Sequence, residues 1–230
     1  MTNEDDPATL LGSRLDAVRD SVADACRGAG RDPSEVTTIV VTKFHPAELV
    51  RQLHALGVRD FGENRHQEAR EKAQATADLE LRWHFVGQLQ SKKARQARAY
   101  ASVIHSIDRP SLVEALASDD DALQCFVQLN LTDDPHRGGV ADSELERMVE
   151  FVLATQGLDL QGVMAVAPID EEPRRAFARV RAASERIRAL APAAKFISAG
   201  MSADFPEAIA EGATHLRIGT AITGNRPPGG

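Results

Sequence analysis

The stretch Thr37–His45, TTIVVTKFH, joins a run of β-branched residues to a lone lysine. Such side chains fit a pleated strand, and with a period of two Ile39, Val41 and Lys43 share one face. If that face is the inner one, Lys43 is buried, and burial favours the neutral amine that attacks an aldehyde to give a Schiff base. The alternative is a lysine that snorkels into solvent from a strand end. Upstream, Leu11, Leu15, Val18, Val22 and Cys26 recur at helical spacing between Thr9 and Ala29, which predicts an amphipathic helix before the strand. Downstream, Pro46 opens a helix with Leu49, Leu53 and Leu56 on one face, and Gly57 ends it.

This strand-then-helix unit recurs. Val58 to Phe61 is closed by Gly62-Glu63-Asn64 and followed by a polar helix from Arg65 to Ala77. Leu81 to Val86 is closed by Gly87 and precedes a basic helix from Ser91 to Ala99; Val103 to Ser106 precedes Ser111 to Ala117. Cys125 to Asn130 leads to Asp142 to Thr155, Leu158 to Val166 to a helix from Glu172 to Leu190, and Lys195 to Ser198 to Phe205 to Glu211. Thr214 to Ile218 ends at Gly219. Eight alternating units without a break in composition predict a single (β/α)8 TIM barrel with an extra N-terminal helix. An open doubly wound sheet fits less well, because no GxGxxG opens any helix. Residues 1–230 are read as one domain, with 1–8 and 226–230 expected to be flexible.

The composition, 43% hydrophobic and 27% charged, is that of a soluble protein, and no apolar run approaches the ~20 residues of a membrane span. The acidic start MTNEDDPATL lacks the pattern of a signal peptide, so a cytoplasmic location is expected. Cys26 and Cys125 form no CxxC pair and are read as buried small hydrophobes. The seven histidines show no HExxH spacing, and no metal is expected. The basic run Gln90 to Tyr100, QSKKARQARAY, carries Lys92, Lys93, Arg95 and Arg98, but the net charge is -7 and a single aromatic accompanies it. A solvated helix face or a second anion site is preferred there over a nucleic-acid interface.

In such a barrel chemistry gathers where strands end. Lys43, Asn64, Gly87, Asn130, Ser198 to Ser202, and Gly219-Thr220 all fall there, so residues scattered along the chain form a ring. The segment Ser198 to Gly212 offers glycine, two serine hydroxyls and a helix start near Asp204, features that hold an anion; an Asp204/Glu207 capping box without ligand is the plainer reading. A second glycine turn after strand eight favours the anion, since phosphate sites in these barrels use the loops after strands seven and eight. Arg217 shares a face with Gly219 and is expected to point inward, towards a carboxylate such as Glu63 or towards a ligand. A lysine amine, a phosphate cradle and an inward arginine are the parts needed to hold pyridoxal 5′-phosphate. An arginine at the pyridine nitrogen would disfavour its protonation and weaken the electron sink.

At these residues the chain resembles the pyridoxal phosphate homeostasis protein family, whose fold is similar to the N-terminal barrel of alanine racemase. The matching stretches are VTK at Val41–Lys43, FGEN at Phe61–Asn64, WHFVGQLQSKK at Trp83–Lys93, HSIDR at His105–Arg109, GVMA at Gly162–Ala165, AGMSAD at Ala199–Asp204 and RIGTAI at Arg217–Ile222. The resemblance implies that Lys43 carries the cofactor aldimine, that Ser202 with Gly219 and Thr220 binds phosphate, and that Arg217 faces the pyridine nitrogen. It also places Asn64, His84 and Met201 near the cofactor, with Ser198 as a further hydroxyl in the same loop. Arg65-His66, Ala199 and Thr223 depart from the family's pattern and bear on the pocket rim. The function implied is a carrier that buffers pyridoxal phosphate and supplies apo-enzymes without turnover; nothing in the sequence pattern demands a dimer, and a monomer is expected. The alternative is an amino-acid racemase or decarboxylase; fold relatives of that kind use a second domain, which is not expected here because the chain ends about ten residues after Gly219.

Overall fold

Thr37–Val41 forms a strand, β1, hydrogen-bonded in parallel on both sides. The computed structural model describes residues 7–132, 134 and 137–225. Of the ends expected to be flexible, 1–6 and 226–230 lie outside these residues, while Pro7 and Ala8 open helix α1, Pro7–Gly28. After β1 the chain alternates: α2 (Ala47–Ala55), β2 (Asp60–Glu63), α3 (His66–Ala75), β3 (Arg82–Phe85), α4 (Ala94–Arg98), β4 (Val103–Ile107) and α5 (Pro110–Leu116). Then follow β5 (Leu123–Leu129), α6 (Leu145–Leu153), β6 (Leu158–Ala165), α7 (Pro173–Leu190), β7 (Phe196–Ser198), α8 (Phe205–Ala210), β8 (His215–Ile218) and α9 (Thr220–Thr223). The eight strands close in sequence order, with β1 against β8 through Ile39 opposite Arg217.

Strand alternation divides two cores. Val40, Phe61, Trp83, Ile104, Cys125, Val163, Leu216 and Ile218 face the helices and join one large apolar cluster. Inside the barrel Val103, Phe126 and Met164 form a small separate cluster with Phe196 against it. Ile39 and Val41 also point inward, since a Cβ placed on Gly62 would lie 3.0 and 3.1 Å from their Cγ2 atoms. Helix α1 buries all five apolar residues of the sequence pattern, a gain of about 1.5–3 kcal/mol for each large aliphatic side chain. It packs beside α2, α8 and α9, and so closes the helical ring where, among the described residues, only the four-residue α9 follows β8.

The differences from the sequence expectation are local. Strand β2 begins at Asp60, because Val58 is still tied to Leu53 O (3.0 Å) in the turn after α2; the two-residue shift preserves parity and puts Asp60 and Gly62 inside. The basic run is no continuous helix but a 3₁₀ turn, Ser91–Lys93, followed by α4. There Arg98 donates to the carbonyls of Leu116 and Gly157 at 3.1 and 2.9 Å, so part of its charge fastens loops. Cys26 and Cys125 are both free and buried. Gly162, at φ +150, marks where β6 and β7 come closest: a Cβ there would lie 1.9 Å from Phe196 O.

Candidate functional site

The site begins where β1 stops. Val41 ends the strand, Thr42 is buried, and Lys43 stands exposed in the turn beyond. The expectation that strand parity buries Lys43 is therefore corrected: the amine sits past the end of the ladder, at the solvent mouth, and forms no ion pair among the described residues. Its neighbours are held instead. Thr42 Oγ1 donates to Glu63 Oε1 at 2.7 Å, and Lys72 Nζ on α3 donates to both Thr42 O (2.7 Å) and Glu63 Oε1 (2.5 Å). On the other side Phe44 N donates to Glu68 Oε2 at 2.9 Å. Phe44, at φ +69, is the one non-glycine residue with positive φ among the described residues. Such a conformation costs on the order of 1–3 kcal/mol and persists only where its surroundings impose it; here they include the Arg65 guanidinium, 4.8 Å above the Phe44 ring.

Glu63 is thus the partner of Lys72 and not of Arg217, which settles one choice left open by the sequence. Burial pushes the Glu63 carboxyl above its ordinary range, opposed by Lys72 and the Thr42 hydroxyl.

Arg217 does point inward and is almost fully buried. Its Nη1 donates to Ser198 O (2.7 Å) and Ser198 Oγ (2.8 Å), and Nη2 to Ala165 O (2.8 Å). Burial lowers its pKa to about 10, with the Asp204 charge acting against the shift, so the group stays a cation at neutral pH. The polar groups of Ser198 and His84 are both engaged inside the barrel. Ser198 is fully buried, and its hydroxyl is taken by Arg217 and by His105 Nδ1 at 2.8 Å. Both His84 nitrogens are engaged within the barrel, Nε2 with Asp60 Oδ1 (2.9 Å) and Nδ1 with His105 Nε2 (3.0 Å).

The remaining groups face the mouth. Loop β7–α8 carries Met201, 38% exposed, and exposed Ser202. Asp204 makes no side-chain cap on α8; its Oδ1 accepts from Met201 N at 2.6 Å, so it shapes the loop, and the capping-box reading falls. Gly200 O accepts from Arg217 N (2.9 Å), tying this loop to β8. After β8, Gly219 passes so near β1 that an added Cβ would lie 3.3 Å from Val41 O, bringing Gly219 and exposed Thr220 beside the root of the Lys43 turn. Asn64 follows β2, where its carbonyl packs on Gly87; a Cβ on Gly87 would lie 2.0 Å from that oxygen. The fold therefore brings Lys43, Asn64, Met201, Ser202, Gly219 and Thr220 to one rim with Arg217 beneath. Among the described residues no group of three or more His, Cys, Asp or Glu could hold a metal ion, and no helix is long and apolar enough to cross a membrane.

Sequence reasoning missed Asp60, His105 and Lys72. Asp60 and His105 occupy inward positions of strands otherwise rich in apolar residues, a signal that strand parity makes visible; Lys72 sits in a helix crowded with charge, where nothing marks it.

Burial lowers the pKa of His84, of His105 and of His215, the last to about 4. The unfolded chain, with histidine near 6.5, takes up protons that the folded chain refuses, so stability is full above about pH 6.5 and falls as pH drops towards 4, by about 3 kcal/mol for His215 alone. His215→Phe is expected to flatten the slope of unfolding free energy between pH 6.5 and 4.5 by up to one proton, measured by urea denaturation. Comparing the two proteins cancels the opposite effect of the raised carboxyls Glu63 and Asp204. An unchanged slope would contradict the buried neutral ring.

The chain is similar to known proteins in sequence and in fold. Residues 14–227 match the family described as alanine racemase, N-terminal domain. The pyridoxal phosphate homeostasis protein of Corynebacterium glutamicum is 38% identical over 208 residues, covering 86% of this chain and 93% of that protein. The protein of the same name from Pseudomonas aeruginosa is 38% identical over 228 residues, covering 96% and 98%. Among solved structures, PipY of Synechococcus elongatus with PLP bound superposes with a TM-score of 0.80 at 33% identity, covering 92% of this chain and 99% of PipY.

Proposed function

The chain belongs to the pyridoxal phosphate homeostasis protein family, and on that premise we propose that it binds pyridoxal 5′-phosphate at the mouth of its barrel, covalently through Lys43, and keeps it for delivery and not for turnover. The observation that carries the proposal is the exposed Lys43 amine on a backbone clamped from both sides, next to the paired loops after β7 and β8. The donor set fits the ligand. Ser202 and Thr220 would offer hydroxyls and the Gly219 turn backbone N–H groups to a phosphate; Asn64 and Met201 would lie beside the ring, and Arg217 would meet its nitrogen. When bound, the group supplies an aldehyde for the lysine and an electron-accepting ring.

Arg217 supports delivery over catalysis. A guanidinium has donors and no acceptor, so it stabilises an unprotonated ring nitrogen and gives no proton to strengthen electron withdrawal. A racemase or decarboxylase must also keep water from the reacting carbon; exposed Lys43 and Met201 leave this mouth open. The same openness suits loading and release. Apo-enzymes that use pyridoxal phosphate are the proposed recipients, in the cytoplasm, with this protein acting as a monomer.

Loaded protein mixed with such an apo-enzyme is expected to restore its activity. In heavy water, alanine and a panel of amino acids are expected to show no α-proton exchange above that given by free cofactor. Exchange above that level would overturn the carrier reading, and failure to take up pyridoxal phosphate would overturn the binding itself.

A further inference from the structure

Four hydrogen bonds cross the barrel interior in a single line. Asp60 Oδ1 lies 2.9 Å from His84 Nε2, His84 Nδ1 lies 3.0 Å from His105 Nε2, His105 Nδ1 lies 2.8 Å from Ser198 Oγ, and Ser198 Oγ lies 2.8 Å from Arg217 Nη1. We propose that this line is a one-way chain of donors running from Arg217 to Asp60, and that Asp60, His84 and His105 act through Ser198 as positioning residues for the guanidinium. The proposal deepens the reading that Arg217 meets the cofactor ring and rests on it for its functional consequence, but not for its geometry.

The direction follows from the one group that has no choice. Arginine only donates, so Ser198 Oγ accepts from Nη1, and the hydroxyl hydrogen must go to its other partner, His105 Nδ1. His105 therefore carries its hydrogen on Nε2 and gives it to His84 Nδ1. His84 in turn carries its hydrogen on Nε2 and gives it to the Asp60 carboxylate. Every link is satisfied with both rings neutral and in the same tautomer. In the reverse direction His105 would donate to Ser198, leaving the hydroxyl hydrogen of a fully buried serine without an acceptor, a loss of the order that unmade buried hydrogen bonds carry. It would also require His84 to be an imidazolium, donating from both nitrogens.

The surroundings oppose that extra proton. Around His84 stand Asp60 from β2, Arg82 from its own strand, His105 from β4 and His215 from β8. Asp60 is the sole anion of this set and is already shared with Arg82, 3.9 Å away. Ring orientation is fixed independently, because His105 stacks on Phe126 with centroids 4.6 Å apart and planes at 19°. With its hydroxyl hydrogen committed to His105, Ser198 presents its lone pairs to Arg217. The guanidinium is then held by Ser198 O, Ser198 Oγ and Ala165 O together.

The test has two parts. In the unsubstituted protein without cofactor, ¹⁵N-edited NMR of the histidine rings at pH 7 is expected to show His84 and His105 both neutral with the hydrogen on Nε2; an Nδ1–H tautomer or an imidazolium at either would overturn the chain. In the pyridoxal phosphate-loaded protein, His105→Phe and Ser198→Ala are each expected to shift the absorbance band of the bound cofactor and to weaken its binding about tenfold, the scale of one hydrogen bond to a charged group. The double variant is expected to do no more than either single one, as for residues acting through one another. Additive losses, or bands that do not move, would overturn the positioning role. If the variants do not fold, the tautomers decide. If the unsubstituted protein takes up no cofactor, the proposed function fails while the tautomers still decide the chain.

Discussion

Lys72→Met is expected to cost about 3–5 kcal/mol of stability, the loss typical of removing one partner from a buried ion pair. The Lys72 and Glu63 side chains are 7% and 1% exposed. Without Nζ, the Glu63 carboxyl keeps only the Thr42 hydroxyl, and its Oε2 already has no hydrogen-bond partner. Thr42 O loses one of its two donors in the same step and keeps His45 N, so the turn that carries Lys43 loses a clamp as well as the fold its pair. The cost arises from the stranded carboxyl and not from the pair's own worth; hence Lys72→Met combined with Glu63→Leu is expected to recover much of the loss. Urea denaturation of the two variants checks this. A loss below about 1 kcal/mol in the single variant, the range of an exposed pair, would show that Glu63 and Lys72 are not buried together as described.

Lys43→Ala is expected to do the opposite: stability unchanged within about 0.5 kcal/mol, as for an exposed side chain, and complete loss of covalently held pyridoxal phosphate. The separation follows from geometry. Thr42 and Phe44 are held through backbone groups and a threonine hydroxyl, none of which belongs to Lys43. The loop after β7 is tied to β8 through Gly200 O and Arg217 N, and Gly219 after β8 lies beside Val41 of β1, all without the lysine. The alanine variant should therefore still bind the ligand, weakly and reversibly, with an absorbance spectrum like that of free aldehyde. A variant whose cofactor band matches the unsubstituted protein would remove Lys43 from its role.

The barrel was legible in the sequence because its strands are short β-branched or apolar runs closed by glycine, and because one parity argument serves every strand: it placed Ile39, Val41 and Arg217 inside correctly. Parity failed at Lys43 for a physical reason. The ladder stops at Val41, and Phe44 turns into the left-handed region, a conformation that no composition rule assigns to phenylalanine. The same limit applies to partners. That Arg217 is buried could be read from the alternation of β8, but that it bonds two carbonyls and a serine, while Glu63 pairs with a lysine one helix away, depends on contacts between separate elements. His84 illustrates both sides, since its inward position was readable and its full engagement by Asp60 and His105 was not.

Of the five lysines, Lys43 is the one proposed as the covalent anchor. Borohydride reduction of the pyridoxal phosphate-loaded protein, followed by peptide mass mapping, tests it most directly. A reduced pyridoxyl phosphate adduct on the peptide containing Lys43 and a permanent loss of the cofactor's absorbance band are expected. An adduct on Lys72, Lys92, Lys93 or Lys195 in its place, or no adduct at all, would contradict it.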